Sequence, residues 1–307
     1  MSIPRSSLLA RIVPAHNRLP GTTKAAWFPL HGSFAAMGAM SAPAALEVVG
    51  TEIAGKWSTT PTLYTFPTDN GGGVANVCLR VPHDEDNLLD GVFSLLGAAV
   101  GTELLIGCEV IISAQDGADG TFLCYGNNIA QAGFYRFGLG TDQKPLVGWR
   151  ASGSSGSDTY TTVSTPALTM GIGGTALETL VGANRLLALM SMHVTGAAAV
   201  DVTLGFSDGT NSSVYTLTGF DAKANSGSDL PGRGVDVTHH QGLHIGGRGN
   251  SSAAADSFLG RGAGVSAKVG NVFGYRDTFD ADRLATTLAT WADNPAEFPQ
   301  NLLEPAP

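Results

Sequence analysis

The sequence predicts an all-β protein, an antiparallel β-sandwich with one short C-terminal helix and extended terminal arms. Most of the chain alternates apolar and polar residues with period two, which is typical of half-buried strands. Clusters of Gly, Asp, Asn and Ser bound these runs, and the 307 residues include 41 glycines. One segment near the C-terminus has a clear helical period. Short strands at regular spacing favour two packed antiparallel sheets.

Both ends of the chain predict extended arms. The first 24 residues contain prolines at positions 4, 14 and 20, and the last twelve contain three more, all of which favour extended backbone. We therefore expect three parts: a basic N-terminal arm and lead-in (1–45), a sandwich domain (46–295) and a C-terminal tail (296–307).

The clearest strand pair is predicted at residues 200–221. "VDVTLGF" places Val200, Val202 and Leu204 on one face, and the next run, "VYTLTGF", follows a turn at Asp208-Gly209. Similar runs predict strands at "TELLIGCEVIIS", "GTFLCYG", "GFYRFGLG", "KPLVGWRAS", "NRLLALMSMHV" and "GVSAKVGNVFGYR".

The predicted helix is "DADRLATTLATWADNP". Leu284, Leu288 and Trp291 fall on one face, and the helix is expected to stop before Pro295. Its N-cap is predicted to be Asp280 or Asp282. We expect it to pack across the sheet edge or between the sheets.

Charge is distributed unevenly along the chain. Of the 17 basic residues, Arg5, Arg11, Arg18 and Lys24 lie within residues 1–46, which contain no acid, so this segment carries +4. The rest of the chain holds all 26 acids and carries −13. This asymmetry favours docking of the segment onto an acidic partner, such as a copy of the same body, with a solvated tail as the alternative. It disfavours nucleic-acid binding by the body.

The three cysteines do not predict a disulfide framework. Cys78, Cys108 and Cys124 cannot all pair with one another and form no C-x-x-C motif. Cys108 and Cys124 lie inside strand-like runs, where a thiol acts as a small apolar side chain.

Neither export by a signal peptide nor a membrane span is expected. Residues 25–46 are uncharged and follow basic residues, but prolines and glycines interrupt their apolar stretch. Nothing elsewhere approaches the roughly 20 apolar residues that a spanning helix needs.

Two glycine patterns resemble nucleotide-binding loops without completing them. "GTEIAGKW" (50–57) has Trp57 where a Ser or Thr hydroxyl is needed for magnesium. "GIGGTA" (171–176) lacks an acidic residue about 20 positions later in a suitable βαβ setting.

A third pattern, "GLHIGGRGN" (242–250), is expected to be a strand and turn. A phosphate cradle needs a helix after it, whereas a loop of small residues follows here. Leu243 and Ile245 are predicted to face the core and His244 to face outward. Arg248 is predicted to form a surface ion pair or an intersubunit contact.

No metal or cofactor is predicted. The candidate transition-metal ligands are His239, His240 and His244 with Asp236 nearby, but imidazoles near a turn are more often surface residues. The acidic loops at 82–87 and 116–120 offer oxygen ligands for calcium, but they lack the twelve-residue loop pattern and form no clear ligand set.

Enzymatic activity is not predicted. No G-x-S-x-G elbow is present, and the strand acids Glu103, Glu109 and Asp201 stand singly rather than as the alternating pair expected for glycoside cleavage.

From about Asn87 to Trp291 the chain resembles the concanavalin A-like (laminin G-like) jelly-roll family. "NLLDGVFSLL…TELLIGCEVIIS" is similar to its opening strands, and "LHIGGRGNSSAAADSFLG" followed by "VFGYRDTFDADRLATTLATW" to its close. The resemblance implies a jelly-roll sandwich. The family occurs in viral surface and tail proteins, lectins and adhesins. The paired carboxylates of its hydrolase members and the acids of its calcium site are not matched in this sequence.

These observations predict a non-enzymatic structural or adhesive subunit of a large assembly. The expected setting is a bacteriophage virion, as a capsid decoration, head fibre or tail component. The predicted partners are other copies of the chain and neighbouring virion proteins, and the partner-binding residues are Arg5, Arg11, Arg18, Lys24 and Arg248. The alternatives are a carbohydrate-binding module that recognises a host-surface glycan through Trp149 or Tyr160, and a glycoside hydrolase or lyase.

Overall fold

Two large antiparallel β-sheets form the body of the protein. The computed structural model describes residues 24–28, 47–49, 64–65, 78–82, 93, 98–112, 120–125, 135–139, 145–150, 160–163, 171–172, 175–176, 185–196, 199–221, 242–249, 255–256 and 267–293. Within these residues nearly every element is a strand, and all strand pairs are antiparallel. The predicted all-β sandwich is confirmed.

Seven of the described strands form sheet A. In spatial order it runs β1 (Lys24–Phe28), β18 (Ala267–Thr278), β5 (Thr102–Ile112), β12 (Leu186–Gly196), β13 (Ala199–Ser207) and β14 (Ser212–Asp221), and β3 (Tyr64–Thr65) also pairs with β18. β1 belongs to the segment assigned by sequence to the arm and lead-in, and it forms one edge of the sheet.

Another seven described strands form sheet B. Its order is β2 (Glu47–Val49), β4 (Cys78–Pro82), β15 (Gly242–Ile245), β6 (Gly120–Tyr125), β7 (Tyr135–Leu139), β8 (Pro145–Arg150) and β9 (Tyr160–Val163). Two small hairpins pair β10 (Gly171–Ile172) with β11 (Thr175–Ala176), and β16 (Arg248–Gly249) with β17 (Ala255–Asp256).

The main core lies between the two sheets. Phe206 of sheet A contacts Phe137 of sheet B, with ring centroids 5.9 Å apart. The same face of sheet A carries the buried even-numbered residues of β5, which are Leu104, Ile106, Cys108 and Val110. Tyr125 and Tyr135 share a face with Phe137 and stack at 6.0 Å. The burial of these large side chains is the main driving force that holds the sheets together.

The hairpin β13–β14 forms as the alternation predicts. Val200, Val202, Leu204 and Phe206 are all buried on the inter-sheet face. The turn follows Ser207, and Gly209 adopts φ +90°, a conformation that L side chains rarely adopt. The Asp208 carboxylate accepts the backbone N–H groups of Thr210 at 2.8 Å and Asn211 at 2.7 Å, which fixes the turn.

Helix α1 (Arg283–Asp293) also forms where predicted, with Leu284, Leu288 and Trp291 buried. Asp280 provides the side-chain cap, because its carboxylate accepts the backbone N–H of Asp282 at 3.0 Å.

The predicted position of the helix was wrong. α1 lies on the face of sheet A that points away from sheet B, where it packs with Leu105, Leu187, Leu189 and Phe273. Strands β5, β12 and β18 carry large apolar residues on this outer face as well as on the face toward sheet B, so the outer face needs a cover and the helix provides it. The described elements therefore form three layers: α1, sheet A and sheet B.

Candidate functional site

Two carboxylates are buried on the outer face of sheet A beneath helix α1. Glu103 and Glu109 lie on β5 with side chains 1% and 0% exposed, on the same face as Leu105. An unpaired buried carboxylate would strongly destabilise the fold, so their partners decide what they do.

Glu103 joins the helix N-terminus to the sheet. The Ser191 hydroxyl on β12 donates to its Oε1 at 2.5 Å. The Asp280 backbone N–H donates to its Oε2 at 3.3 Å, and the Arg283 guanidinium donates to the same oxygen. Arg283 also lies over the Tyr275 ring, 4.8 Å from its centroid. Glu103 therefore joins β5 to β12 through Oε1 and to the start of α1 through Oε2.

Glu109 holds the other end of the helix. The Trp291 indole N–H donates to its Oε1 at 2.6 Å, and Arg185, just before β12, donates to its Oε2 at 2.5 Å. Ionised partners strengthen such hydrogen bonds. With Glu103, this arrangement forms a two-point latch between α1 and sheet A.

A row of ionisable residues crosses sheet A at the Glu103 end. The strand register places Asp277, Glu103, His193 and Asp201 side by side on β18, β5, β12 and β13. The His193 imidazole stacks on the Phe279 ring, with centroids 3.7 Å apart and planes 5° from parallel. Phe279 is 42% exposed and Asp201 is partly exposed, and both lie at this end of sheet A.

Sheet B buries polar residues on the face away from sheet A. Arg136, Cys124 and His244 lie opposite one another in register, and Arg136 Nε donates to Thr121 Oγ1 at 2.8 Å. His244 is completely buried, as are its neighbours Leu243 and Ile245. His244 lies on the opposite face of β15 from Leu243 and Ile245, as predicted, but it is buried there instead of exposed to solvent, because β15 is an interior strand whose two faces are both covered.

Two cysteines, Cys108 and Cys124, are core residues, as predicted. Cys108 and Cys124 are buried and unbonded to any other sulfur. Burial, with a smaller contribution from the Glu109 charge, raises the pKa of the Cys108 thiol far above its ordinary value, so this thiol is no nucleophile at neutral pH.

The strand β14 is an edge of sheet A. It pairs with β13, and among the described strands it has no second hydrogen-bonded neighbour, although β10 lies nearby. Ser212, Val214 and Thr216 are exposed, Val214 by 48%.

At the turn before β14, burial opposes ionisation of Asp208, but hydrogen bonds from Asn211 and Thr210 lower the pKa of its carboxyl below the ordinary value.

The predicted partner-binding residues are only partly placed. Lys24 begins β1, opposite Arg276, and Arg248 lies in β16 opposite Asp256. Arg5, Arg11 and Arg18 lie outside the described residues. The structure therefore places Lys24, the last basic residue of the segment, in an end strand of sheet A among the described strands, and it places Arg248 in register with an acid.

Two of the glycine patterns are hairpins or turns. In "GIGGTA", Gly171 and Ile172 pair with Ala176 and Thr175, so the pattern spans two paired strands. In "GLHIGGRGN", Gly246 has φ +75° and its N–H donates to the Phe122 carbonyl at 2.8 Å. Positive φ explains a glycine at this position. The pattern at 50–57 and the loop 151–159 lie outside the described residues.

No metal site or membrane helix is found in the part of the chain that the structure describes. No three His, Cys, Asp or Glu side chains among those residues are arranged to hold a metal ion. Of the predicted candidates, His239, His240 and Asp236 lie outside this part, as do the acidic loops except for Pro82 and Gly120. None of the described helical residues forms a segment long and apolar enough to cross a bilayer.

Sequence reasoning treated Glu103 and Glu109 as isolated acids and missed the latch. A signal was present: "TELLIGCEVII" sets two carboxylates of the same parity into an otherwise apolar strand. Charged residues in a buried strand require partners, so the pattern predicts that something basic or hydrogen-bonding covers that face.

Comparisons with known proteins add only distant likenesses. No protein-family model and no curated protein sequence matches the chain. Among solved structures, a botulinum neurotoxin type C structure concerning cell entry through two ganglioside molecules has 8% identity and a TM-score of 0.46, covering 85% of this chain and 47% of that one. The binding domain of botulinum neurotoxin DC with rat synaptotagmin II has 9% identity, a TM-score of 0.44 and the same coverage.

A PL-14 alginate lyase from Aplysia kurodai has 10% identity and a TM-score of 0.43, over 72% of this chain and 86% of that one. This chain spans about half the length of the neurotoxin chains that it matches. Likenesses this distant assign no function, and the sandwich is established by the strand pairing itself.

Proposed function

We propose that this chain is a non-enzymatic structural or adhesive subunit of a large assembly, which docks through its basic N-terminal arm. The separation of charge supports this proposal: +4 in residues 1–46 without an acid, against −13 in the rest of the chain. Opposite charges on two parts of one chain favour contact between copies. The proposed setting is a bacteriophage virion, as a capsid decoration, head fibre or tail component.

The position of β1 adds support. β1 starts at Lys24, the last basic residue of the segment, and pairs with β18 at an edge of sheet A. The chain therefore enters sheet A at β1, which is an end strand among the described strands. Arms attached to an edge can extend to a neighbouring subunit and become ordered when they bind.

The test compares self-association of the full chain with that of a variant lacking residues 1–23, by sedimentation velocity at low and high salt. We expect the full chain to form oligomers that weaken as salt increases, and the truncated chain to remain monomeric. A matched variant with Arg5→Gln, Arg11→Gln and Arg18→Gln keeps the arm length and should lose most of the association. A full chain that stays monomeric at high concentration contradicts the proposal.

The virion setting has its own test, which is independent of self-association. The coding sequence should lie among genes for capsid and tail assembly. A position beside sugar-metabolism genes would count against the virion and favour the second candidate below.

Carbohydrate binding is the second candidate, and one feature favours it. Phe279 is exposed and is held in place by its stack on His193. His193 in turn lies opposite Asp201 on the neighbouring strand. Aromatic rings with adjacent hydrogen-bonding groups suit sugar recognition. A glycan array should show binding that Phe279→Ala abolishes and that Phe279→Tyr retains. Signals at background level for all three proteins would remove this candidate.

A further inference from the structure

We propose that an exposed patch at one end of sheet A, formed by Val100, Phe279, Asp280 and Asp282, receives the basic arm of a second copy of this chain. Two copies then exchange arms as a two-fold pair, with Arg11 of each arm on the Phe279 ring of the other copy. This inference rests on the proposed function, because it names the surface that receives the arm.

Two exposed apolar residues mark the patch. Among the described residues, the large hydrophobic ones that are exposed are Val100 at 61%, Val214 at 48% and Phe279 at 42%. The Phe279 N–H donates to the Gly101 carbonyl at 2.8 Å, so the segments that carry Val100 and Phe279 are bonded to each other. Exposed apolar residues that are grouped rather than scattered are typical of interaction surfaces.

The Phe279 ring is fixed in position before any partner arrives. One face of the ring stacks on the His193 imidazole, with centroids 3.7 Å apart. His193 covers that face, so the surface of Phe279 that water reaches lies on the rest of the residue. A side chain that is already fixed loses little conformational entropy on binding.

The chemistry of the patch suits a guanidinium group. Aromatic rings attract cations over their faces, and Arg283 already lies over the Tyr275 ring in this way, 4.8 Å from its centroid. Asp280 follows Phe279 directly, and both Asp280 and Asp282 are exposed. Carboxylates beside an exposed ring favour a partner that carries positive charge.

The basic arm has the matching composition. Residues 1–46 contain four basic residues and no acid. Arg11 lies within the apolar run "LLARIV", whereas Arg5 and Arg18 each have a polar neighbour. The run can cover apolar surface while the planar guanidinium stacks on a ring and binds a carboxylate. Arg11 is therefore the arginine assigned to Phe279.

The arm enters the sheet at the same end as the patch. Lys24, the first residue of β1, is opposite Arg276, three residues before Phe279. Three strand spacings of about 4.8 Å separate β1 from β12, which carries His193, so the arm starts about 15 Å from the ring. Residues 1–23 can span about 75 Å when extended, which is enough to reach a second molecule.

This placement favours reciprocal exchange between two copies. Val100 and Phe279 are exposed in the single chain, which favours a second copy as the source of the arm. Because each copy carries the start of its arm and the patch at one end of sheet A, two copies that meet through these ends satisfy both patches at once. Such an isologous contact closes as a dimer.

The first experiment measures dimerisation of the full chain and its variants by sedimentation velocity. Phe279→Leu keeps an apolar side chain but removes the ring, and Asp282→Asn removes one carboxylate. We expect each to weaken dimerisation by about tenfold or more, since every dimer contains the contact twice. Unchanged dimerisation of both variants would overturn the assignment of the patch.

Two control variants match these changes away from the patch. Val214→Ala alters an exposed apolar residue opposite Gly205, and Asp293→Asn removes an exposed carboxylate at the other end of α1. Both should leave dimerisation within about twofold of the natural chain. Circular dichroism and the unfolding midpoint of all four variants confirm that they remain folded.

Variants of the arm test the assignment of Arg11. Arg11→Gln and Arg5→Gln remove the same charge, and we expect Arg11→Gln to weaken dimerisation by about tenfold or more and Arg5→Gln by clearly less. Arg11→Lys keeps the charge but loses the planar group, so it should recover only part of the loss. Equal effects of Arg11→Gln and Arg5→Gln would show that the arm acts through its net charge, and the assignment of Arg11 would be wrong.

Photo-cross-linking locates the contact and identifies which copy supplies the arm. Phe279→p-benzoylphenylalanine is prepared in isotope-labelled and unlabelled full chains, which are mixed before irradiation. We expect links from position 279 to residues 1–23 that join labelled to unlabelled chains. Links to residues 1–23 within single chains only would assign the patch to the chain's own arm and overturn the exchange.

The outcomes separate this inference from the proposed function. If truncation of residues 1–23 abolishes self-association while Phe279→Leu and Asp282→Asn do not weaken it, the arm docks elsewhere: the inference is wrong and the proposed function stands. If truncation has no effect on self-association, both fail. If Phe279→Leu abolishes glycan binding and leaves dimerisation unchanged, the ring serves carbohydrate recognition and the inference is wrong.

Discussion

Tyr135 carries a buried hydroxyl group, and we expect its removal to stabilise the fold. The side chain is 1% exposed between the sheets, and its hydroxyl has no hydrogen-bond partner among the described residues. A buried hydroxyl without a partner costs about 1–3 kcal/mol of desolvation. Tyr135→Phe should therefore match or exceed the stability of the natural chain by up to about 1 kcal/mol at pH 7, as measured by urea unfolding.

The same variant makes a pH-dependent prediction. Burial, with a smaller contribution from Cys124, raises the pKa of Tyr135 well above its ordinary value of 10.0. Above pH 10 the unfolded chain releases this proton and the folded chain does not, so the free energy of unfolding falls as the pH rises. Tyr135→Phe removes this loss, and its advantage should grow by about 0.8 kcal/mol at pH 10.5. Tyr275→Phe is the control, because it removes a hydroxyl that donates to Asp277 and should not stabilise the protein.

Glu109 is expected to be among the residues on which stability depends most. Replacing it with Ala leaves the buried Trp291 N–H without its acceptor and Arg185 without its ion pair. Because Arg185 is 29% exposed, water compensates part of the second loss, and we expect the free energy of unfolding to fall by about 2–4 kcal/mol. Asp293→Ala, at an exposed position of the same helix, should change it by less than about 0.5 kcal/mol. Equal effects of the two substitutions would show that Glu109 fastens nothing.

At the scale of elements, the docking of α1 depends on the absence of a side chain at Gly205. A Cβ added at Gly205 of β13 would lie 2.7 Å from Leu284 Cδ2 and 3.0 Å from Leu288 Cδ1. Gly205→Ala should therefore push the helix from the sheet and cost about 1–3 kcal/mol of unfolding free energy.

A double-mutant cycle measures whether this cost comes from the helix. Leu284→Ala removes the nearer atom, so the double variant should be less destabilised than the sum of the two single variants by about 1 kcal/mol. Strict additivity of the two changes in unfolding free energy would mean that a side chain at position 205 does not clash with α1.

The elements that sequence predicted well are those decided by local pattern. Alternation from Val200 to Phe206 and the Asp208-Gly209 turn specify the β13–β14 hairpin, and the spacing of Leu284, Leu288 and Trp291 specifies the helix. Its location was missed because β12 is apolar on both faces: "LLALMSM" has no period that distinguishes a face under a helix from a face under a sheet. The burial of His244 was missed for the same reason, since alternation gives the side of a strand but not whether that side is covered.

The partners of the buried acids could not be predicted from the sequence, for a different reason. Glu109 meets Trp291 across 182 residues of sequence, and Glu103 meets Arg283 across 180. Nothing local in "TELLIGCEVII" identifies these partners, although acids in a buried strand do indicate that partners are needed. The core cysteines Cys108 and Cys124, which need no partner, were predicted correctly from their apolar surroundings alone.

At the scale of the whole molecule, the two sheets should unfold as one unit. Phe206 and Phe137 form a contact between sheets that share no hydrogen-bonded strand pair in the described part of the chain. Burial between the sheets is therefore what couples them. Phe206→Ala should lower the free energy of unfolding by about 3–5 kcal/mol because it leaves a cavity at this contact.

Native-state hydrogen exchange tests the coupling directly. The slowest amides of β5 in sheet A and of β7 in sheet B should open with the same free energy, and Phe206→Ala should lower both by the same amount. Val214→Ala, at the exposed edge of sheet A, should leave both within about 0.5 kcal/mol. If Phe206→Ala lowers protection in β5 alone, the sheets open separately, and the sandwich is two stability units joined by chain rather than one domain held by a common core.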